Sequence, residues 1–289
     1  MLDTIEKKSV YQPDQPGLLF PTEPEFATVA EERSYRKQRL VLACRAFARE
    51  GYSYGFAGHL TVRDPEHPEL FWTNPMAVHF SQVCMSNLIL VDHHGRVVEG
   101  NHAVNRAGFI LHANVHKAHP DIVSMCHAHT EAGTAFAALG REIRRLTQDS
   151  CVFFEDHVVI LEEAGAAALE DRAGGNVARA FRGVKAAIHA NHGLLTASRH
   201  SIDAAAFWFI ALERCCKQEL MIDASGREPI LVSEERARYS RKHIGTDYIG
   251  WLHFQRSPIN CSTINACRRA CLQPANREIH GTQTGCQRI

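Results

Sequence analysis

Apolar positions along this chain return at two periods. Over 31–50, Leu40, Cys44 and Phe47 recur at helical spacing and Gly51 stands where a left-handed residue closes a helix, predicting a first helix. Residues 57–63 read as a tight turn into a strand, and 70–75 as a second strand stopped by Pro75. Residues 88–92 and 96–100, joined through His93-His94-Gly95, read as a hairpin. The pattern over 105–117 is helical with Phe109, Ile110 and Ala113 on the buried side, and 122–127 is a short apolar run suited to a strand. Thr130 is placed to cap a helix ending near Leu139 and Gly140. Residues 151–154 form a strand candidate, 166–181 a helix interrupted at Gly174-Gly175, and 185–188 another short apolar run. Ser201 opens a long helix to about Asp223, with Ile202, Ala206, Phe209, Cys216 and Leu220 on one face. Strands and helices interleaved in this way predict an α/β sheet covered by helices.

The two ends differ from this middle. Residues 1–30 carry Pro13, Pro16, Pro21 and Pro24 with little periodicity and read as an extended or disordered arm. Residues 257–289 hold Cys261, Cys267, Cys271 and Cys286 among polar residues, at spacings that fit no common four-cysteine metal pattern, and read as a disordered tail. One domain over 31–256 is expected between them.

Charge removes some function classes. Lys+Arg and Asp+Glu are 32 each in 289 residues, so a nucleic-acid or acidic-membrane partner finds no overall basic charge. The longest apolar run, 204–212, is too short to span a bilayer, and residues 1–10 are polar and charged rather than signal-like. The expectation is a cytoplasmic protein whose ten cysteines are reduced, with Cys44, Cys84, Cys126, Cys151, Cys215 and Cys216 serving as small core residues.

The candidate chemistry lies in His127-Ala128-His129 and Asn191-His192-Gly193. Side chains two apart on a strand share a side, so His127 and His129 project together. His192 follows a second apolar run and precedes a glycine at which the backbone can turn. A His-x-His pair alone is weak in a chain of 18 histidines. If the two strand ends meet, however, three imidazoles converge with a position left open, the usual make-up of a catalytic zinc site and one that also suits iron(II), cobalt or manganese.

The segment Ala118-His119-Pro120-Asp121 through His127-Ala128-His129-Thr130, followed later by Asn191-His192-Gly193, resembles the class II aldolase/adducin family over roughly residues 35 to 225. The resemblance implies a three-layer α/β/α fold around a largely antiparallel sheet, with a divalent metal, zinc foremost, on His127, His129 and His192. It also implies a small-molecule substrate and a homo-oligomer, often a tetramer, in which Tyr239 or Tyr248 reaches a neighbour's site. Gly58-His59-Leu60-Thr61 stands where these aldolases have a phosphate-binding "G-N-x-S" turn, and Thr73-Asn74-Pro75 near their second phosphate loop. Gly58, Thr61 and Asn74 are therefore expected to bind substrate. His59 in place of the amide, and Met76-Ala77 after the proline, favour a non-phosphorylated or carboxylate substrate.

One departure bears on mechanism. The sugar-phosphate aldolases carry a carboxylate four residues before a helix histidine; aligned on His112, this chain has Gly108 there. Glycine moves no proton. Other candidate bases are Asp149, His59, His157 and Glu155, with Asp149 also able to orient a ligand histidine. His112 and His116, one helical turn apart, are expected to support the site. The leading expectation is a metal-dependent lyase, aldolase or decarboxylase, stabilising an enediolate of a small oxygenated acid or aldehyde. The alternatives are a non-catalytic adducin-like interaction module and an iron(II) oxygenase on the same fold.

Overall fold

The computed structural model describes residues 13, 17–162 and 171–255, apart from the side chains of residues 107 and 171–174. Its first helix, α1 (Val29–Arg49), starts at Thr28, whose hydroxyl accepts from the Glu31 amide. It ends where Gly51 takes φ 81°, letting the Tyr52 amide reach back to the Phe47 carbonyl. Four antiparallel strands then run outward: β1 (His59–Arg63), β2 (Leu70–Thr73), β3 (Ile89–Asp92) and β4 (Val97–Glu99). The chain crosses back through α2 (Arg106–Ala118) into β5 (Ser124–Ala128), which pairs with β1. Helices α3 (Glu131–Ala137) and α4 (Gln148–Cys151) follow, then β6 (His157–Ile160), α5 (Asp171–Ala180), β7 (Ala186–His189) and β8 (Gly193–Ser198). The chain then forms α6 (Ile202–Ala224), α7 (Glu234–Ile244) and α8 (Asp247–Gln255).

All eight strands join one sheet in the order β4-β3-β2-β1-β5-β8-β7-β6, antiparallel except for the β6–β7 pair. Alternate strand residues feed two cores. Leu60, Val62, Trp72, Cys126, Ile188 and Leu194 pack with α1, α3, α6 and α8 on one face, whereas Met125, Ala187, Leu195 and Ala197 meet Leu111 and Val115 of α2 and Val177 of α5 on the other. This is the expected three-layer α/β/α arrangement. His59, Thr61 and His127 share the parity of the α2 face.

Three local expectations change. Residues 151–154 are not a strand: Thr147 and Ser150 form a reciprocal cap that starts α4, and Cys151, Val152 and Phe153 reach the core from its last turn. The edge strand comes a few residues later, at β6. Helix α5 runs without a break through Gly174-Gly175. On α2 the buried apolar residues are Phe109, Leu111, Ala113 and Val115, with Ile110 only half-buried. The start of the expected 166–181 helix and the four tail cysteines lie outside the described residues. The six described cysteines are free thiols, five of them buried and Cys84 half-buried. Among the described residues no helix is long and apolar enough to cross a membrane.

Candidate metal centre

Adjacent central strands carry the three imidazoles. His127 is the last but one residue of β5 and His129 follows directly after the strand. His192 sits in the turn between β7 and β8, where Asn191 takes the left-handed φ of 54° that asparagine tolerates. Because β5 pairs with β8, Ala128 opposite Leu194, this turn lies beside His129. The ring centroids are 5.0 Å apart for His127 and His129, and 4.9 Å for each of these with His192. One ligating nitrogen from each lies within 4.8 Å of the other two.

The residues fit a metal ion. His127 donates its Nδ1–H to the Leu194 carbonyl at 2.8 Å, which leaves the Nε2 lone pair free to ligate. Nδ1 of His192 is buried and has no hydrogen-bond partner among the described residues. Burial, with help from neighbouring imidazoles, holds His127 well below the usual histidine range and His192 at about 4. His129 is lowered by burial. Three neutral nitrogens are the donor set that zinc and similar divalent ions prefer.

A buried carboxylate braces this group. Glu213 of α6 accepts from the Thr130 hydroxyl and, at 3.1 Å, from the Ala132 amide. Thr130 thus precedes α3 as expected but makes no side-chain cap; Glu213 takes that task and fixes the turn that follows His129. A Cβ on Gly133 would stand 2.6 Å from the Glu213 carboxylate, so glycine is needed for its approach. The sequence signal was present as a charge inside the apolar stripe of α6, between Phe209 and Cys216, where Glu213 is only 8% exposed.

Of the three expected catalytic residues, the structure brings only His59 to the trio. It stands opposite His127 in the β1–β5 register, with ring centroids 5.1 Å apart, and 4.1 Å from His112. Asp149 is not there: its half-exposed carboxylate lies 3.8 Å from Arg214 on the surface. His157 is not there either. It begins β6, whose other end pairs with His189, and both its nitrogens are held by backbone: Nδ1 donates to the Phe153 carbonyl at 2.6 Å and Nε2 accepts from the Ile143 amide at 3.0 Å. Glu155 is paired with Arg238 and Arg241 at the surface.

The expected substrate contacts also divide. Thr61 is fully buried, its hydroxyl held between His112 Nδ1 at 2.8 Å and His116 Nε2 at 2.9 Å, so it supports the site from behind. Those two histidines take the supporting place expected of them. Gly58, at φ 107°, lets the chain pass close to the His127 carbonyl and the Phe80 ring. The Asn74 side-chain oxygen accepts from the Leu60 amide at 2.9 Å and fixes the start of β1. Gly58 and Asn74 line a cavity of about 10 Å³ with Phe56, Pro75, Met76 and Phe80, large enough for about one water. Tyr239 is exposed beside His243, whereas Tyr248 stacks on Trp251 of its own chain.

Comparison with known proteins agrees with this geometry. The model of the class II aldolase and adducin N-terminal domain matches residues 38–220. Among curated relatives, Decarboxylase NovR of Streptomyces niveus is 43% identical over 234 residues, covering 80% of this chain and 86% of that protein. A 4-hydroxy-3-prenylphenylpyruvate oxygenase/4-hydroxy-3-prenylbenzoate synthase of Streptomyces roseochromogenus subsp. oscitans is 42% identical over 244 residues, covering 83% and 86%. Among solved structures, an L-fuculose 1-phosphate aldolase from Glaciozyma antarctica PI12 superposes with a TM-score of 0.75 at 40% identity, covering 81% of this chain and 91% of that one. With the three histidines, the mostly antiparallel sheet and these matches together, the chain belongs to the class II aldolase and adducin N-terminal domain family.

Proposed function

We propose that this protein is a divalent-metal-dependent decarboxylase of a small 3-oxo carboxylic acid, with His127, His129 and His192 holding the ion. The observation that carries the reading is Gly108. It faces the site without a side chain, and a Cβ there would lie 2.4 Å from the His59 ring. An aldol donor must lose a proton from carbon to a positioned base, and this position supplies none. With the carbonyl beta to the carboxylate, loss of carbon dioxide leaves its bonding pair as an enolate, or as an enediolate where carbon 2 carries a hydroxyl, so no base is required at that step. The ion, when bound, supplies a Lewis acid that polarises the carbonyl and stabilises the charge left as carbon dioxide departs. The protein's own part is to hold three neutral nitrogens at fixed spacing, to keep His127 in one tautomer through the Leu194 carbonyl, and to brace His129 through Glu213.

Support also comes from the name of one Streptomyces relative, a decarboxylase. Zinc is the first ion to test, with iron(II), manganese and cobalt beside it. The compartment proposed is the cytoplasm, which accords with the six free thiols.

The test is release of carbon dioxide from a panel of aryl and alkyl 3-oxo acids, with and without a 2-hydroxyl, by metal-loaded protein in sealed, oxygen-free vessels. Turnover with no consumption of a sugar phosphate supports the reading; aldol cleavage of a sugar phosphate without acid turnover sinks it. A second reading is oxygen-dependent decarboxylation on iron(II), favoured by the oxygenase named among the relatives. Stoichiometric oxygen uptake, with no reaction in its absence, selects it.

A further inference from the structure

Beside the three-imidazole group, both ring nitrogens of His59 are buried and neither makes a well-formed hydrogen bond among the described residues, the Gly108 backbone being only a weak neighbour of the ring. The residue is 4% exposed, its ring lying between His112 and His127. Buried polar groups left unsatisfied weaken a fold, and those that persist ordinarily meet a ligand or an ordered water. The ring is held in this place by an omission across from it. A Cβ on Gly108 would lie 2.4 Å from His59 Nδ1 and 2.5 Å from Cε1, closer than real atoms approach. The imidazole and a side chain at 108 thus exclude one another. Gly108 is the third residue of the turn that Asn105 caps, where ordinary helical backbone accepts any side chain, so the backbone does not call for glycine here.

We infer that His59 is the substrate-anchoring residue of this site, donating a ring N–H to the carboxylate of a small organic acid, and that Gly108 is the residue whose missing side chain allows it. Among its neighbours, His127 Nδ1 is bonded to a carbonyl and the Thr61 hydroxyl occupies one nitrogen each of His112 and His116, while His112 Nε2 and His192 Nδ1 lack a partner. His59 alone in this group has both ring nitrogens buried with neither engaged by a side chain or held in a well-formed hydrogen bond, which suits it to a ligand. A carboxylate offers several lone pairs to such a donor. The role needs an N–H and no change of charge. It rests on the reading of the site as one for carboxylic acids and names the residue that recognises that group.

The experiment measures binding, not turnover. Full-length zinc-loaded protein is titrated calorimetrically with 3-phenylpropionate and with its uncharged amide, neither of which can lose carbon dioxide by this chemistry. His59→Ala is expected to keep its metal content, to bind the acid roughly tenfold or more weakly, and to leave the amide unchanged. His59→Asn, which keeps an N–H, is expected to retain part of the acid preference. Gly108→Ala, which displaces the ring, is expected to match His59→Ala, and the double variant to be no weaker than either single one. Unchanged acid binding in His59→Ala or Gly108→Ala, or wild-type protein that does not prefer the acid, overturns the inference. So does loss of metal in His59→Ala, which would make the ring part of the ion's support. Absence of carbon dioxide release with this binding pattern intact removes the decarboxylase reading alone. Release that is indifferent to His59→Ala removes this inference alone.

Discussion

At the scale of the residue, the convergence of His127 and His129 was legible because strand parity is a strong constraint: two histidines two positions apart share a side. His127→Ala and His192→Ala are each expected to reduce bound metal from about one equivalent per subunit to near none, measured by elemental analysis after dialysis. The groups around the ligands were less legible. Thr61 has the polar type expected of a substrate contact, yet its strand turns it inward between His112 and His116. Nothing in its immediate neighbours announces that. Glu213 was missed for the opposite reason, since a helical stripe of Ile202, Ala206, Phe209 and Cys216 is read for its apolar members and the charged one is passed over. Glu213→Ala is expected to weaken zinc binding about tenfold, with Glu213→Gln closer to wild type, as measured by competition with a chromophoric chelator.

At the scale of the element, the long periodic segments were read well and the short ones were not. Helices α1 and α6 announce themselves by repeated apolar spacing and by their caps, Thr28 with Gly51 and Ser201. Replacing Ser201 by Ala, which removes the acceptor for the Ala204 amide, is expected to lower stability by about 1 kcal/mol in urea unfolding. Residues 151–154 are apolar enough for a strand, but the capping box of Thr147 and Ser150 starts a one-turn helix that ends at Cys151, and the chain continues from it as a turn. Asp64 shows how elements are tied together. From the turn after β1 it accepts from Arg33 of α1 at 2.7 Å, from Trp72 of β2 at 2.8 Å and from the amides of Glu66 and His67. Burial alone would raise its carboxyl, but these donors outweigh it and hold the group well below the usual range. On acidification the unfolded chain therefore takes up this proton first. The stabilisation is present above about pH 4, the ordinary aspartate value, and is lost as pH falls toward the depressed folded value. Asp64→Asn is expected to cost about 3 kcal/mol at pH 7 and to flatten the acid limb of a stability–pH curve obtained by chemical denaturation.

At the scale of the whole molecule, the layered architecture followed from the alternation of strands with amphipathic helices. The one parallel pair, β6 with β7, did not. A four-residue apolar run states that it wants burial on a sheet; which neighbour it takes is decided by the crossover through α5 and by the space left beside β7. The three-histidine group lies where β5 and β8 meet in the middle of that sheet, so binding there is linked to global stability. At a free zinc concentration a hundred times the dissociation constant, the gain is about 2.7 kcal/mol, which for a domain of this size is about 5–10 °C in melting temperature. Differential scanning calorimetry with and without a chelator reads it directly, and a His129→Ala variant is expected to show no such shift.

The pairing of β8 between β5 and β7 has a further consequence during synthesis. His127 and His129 leave the ribosome several tens of residues before His192, and the sheet has no place for the third ligand until the later strand inserts. A nascent chain that has not yet reached β8 can offer only two of these three imidazoles. The three-imidazole group is thereby completed only when the last strands join the sheet.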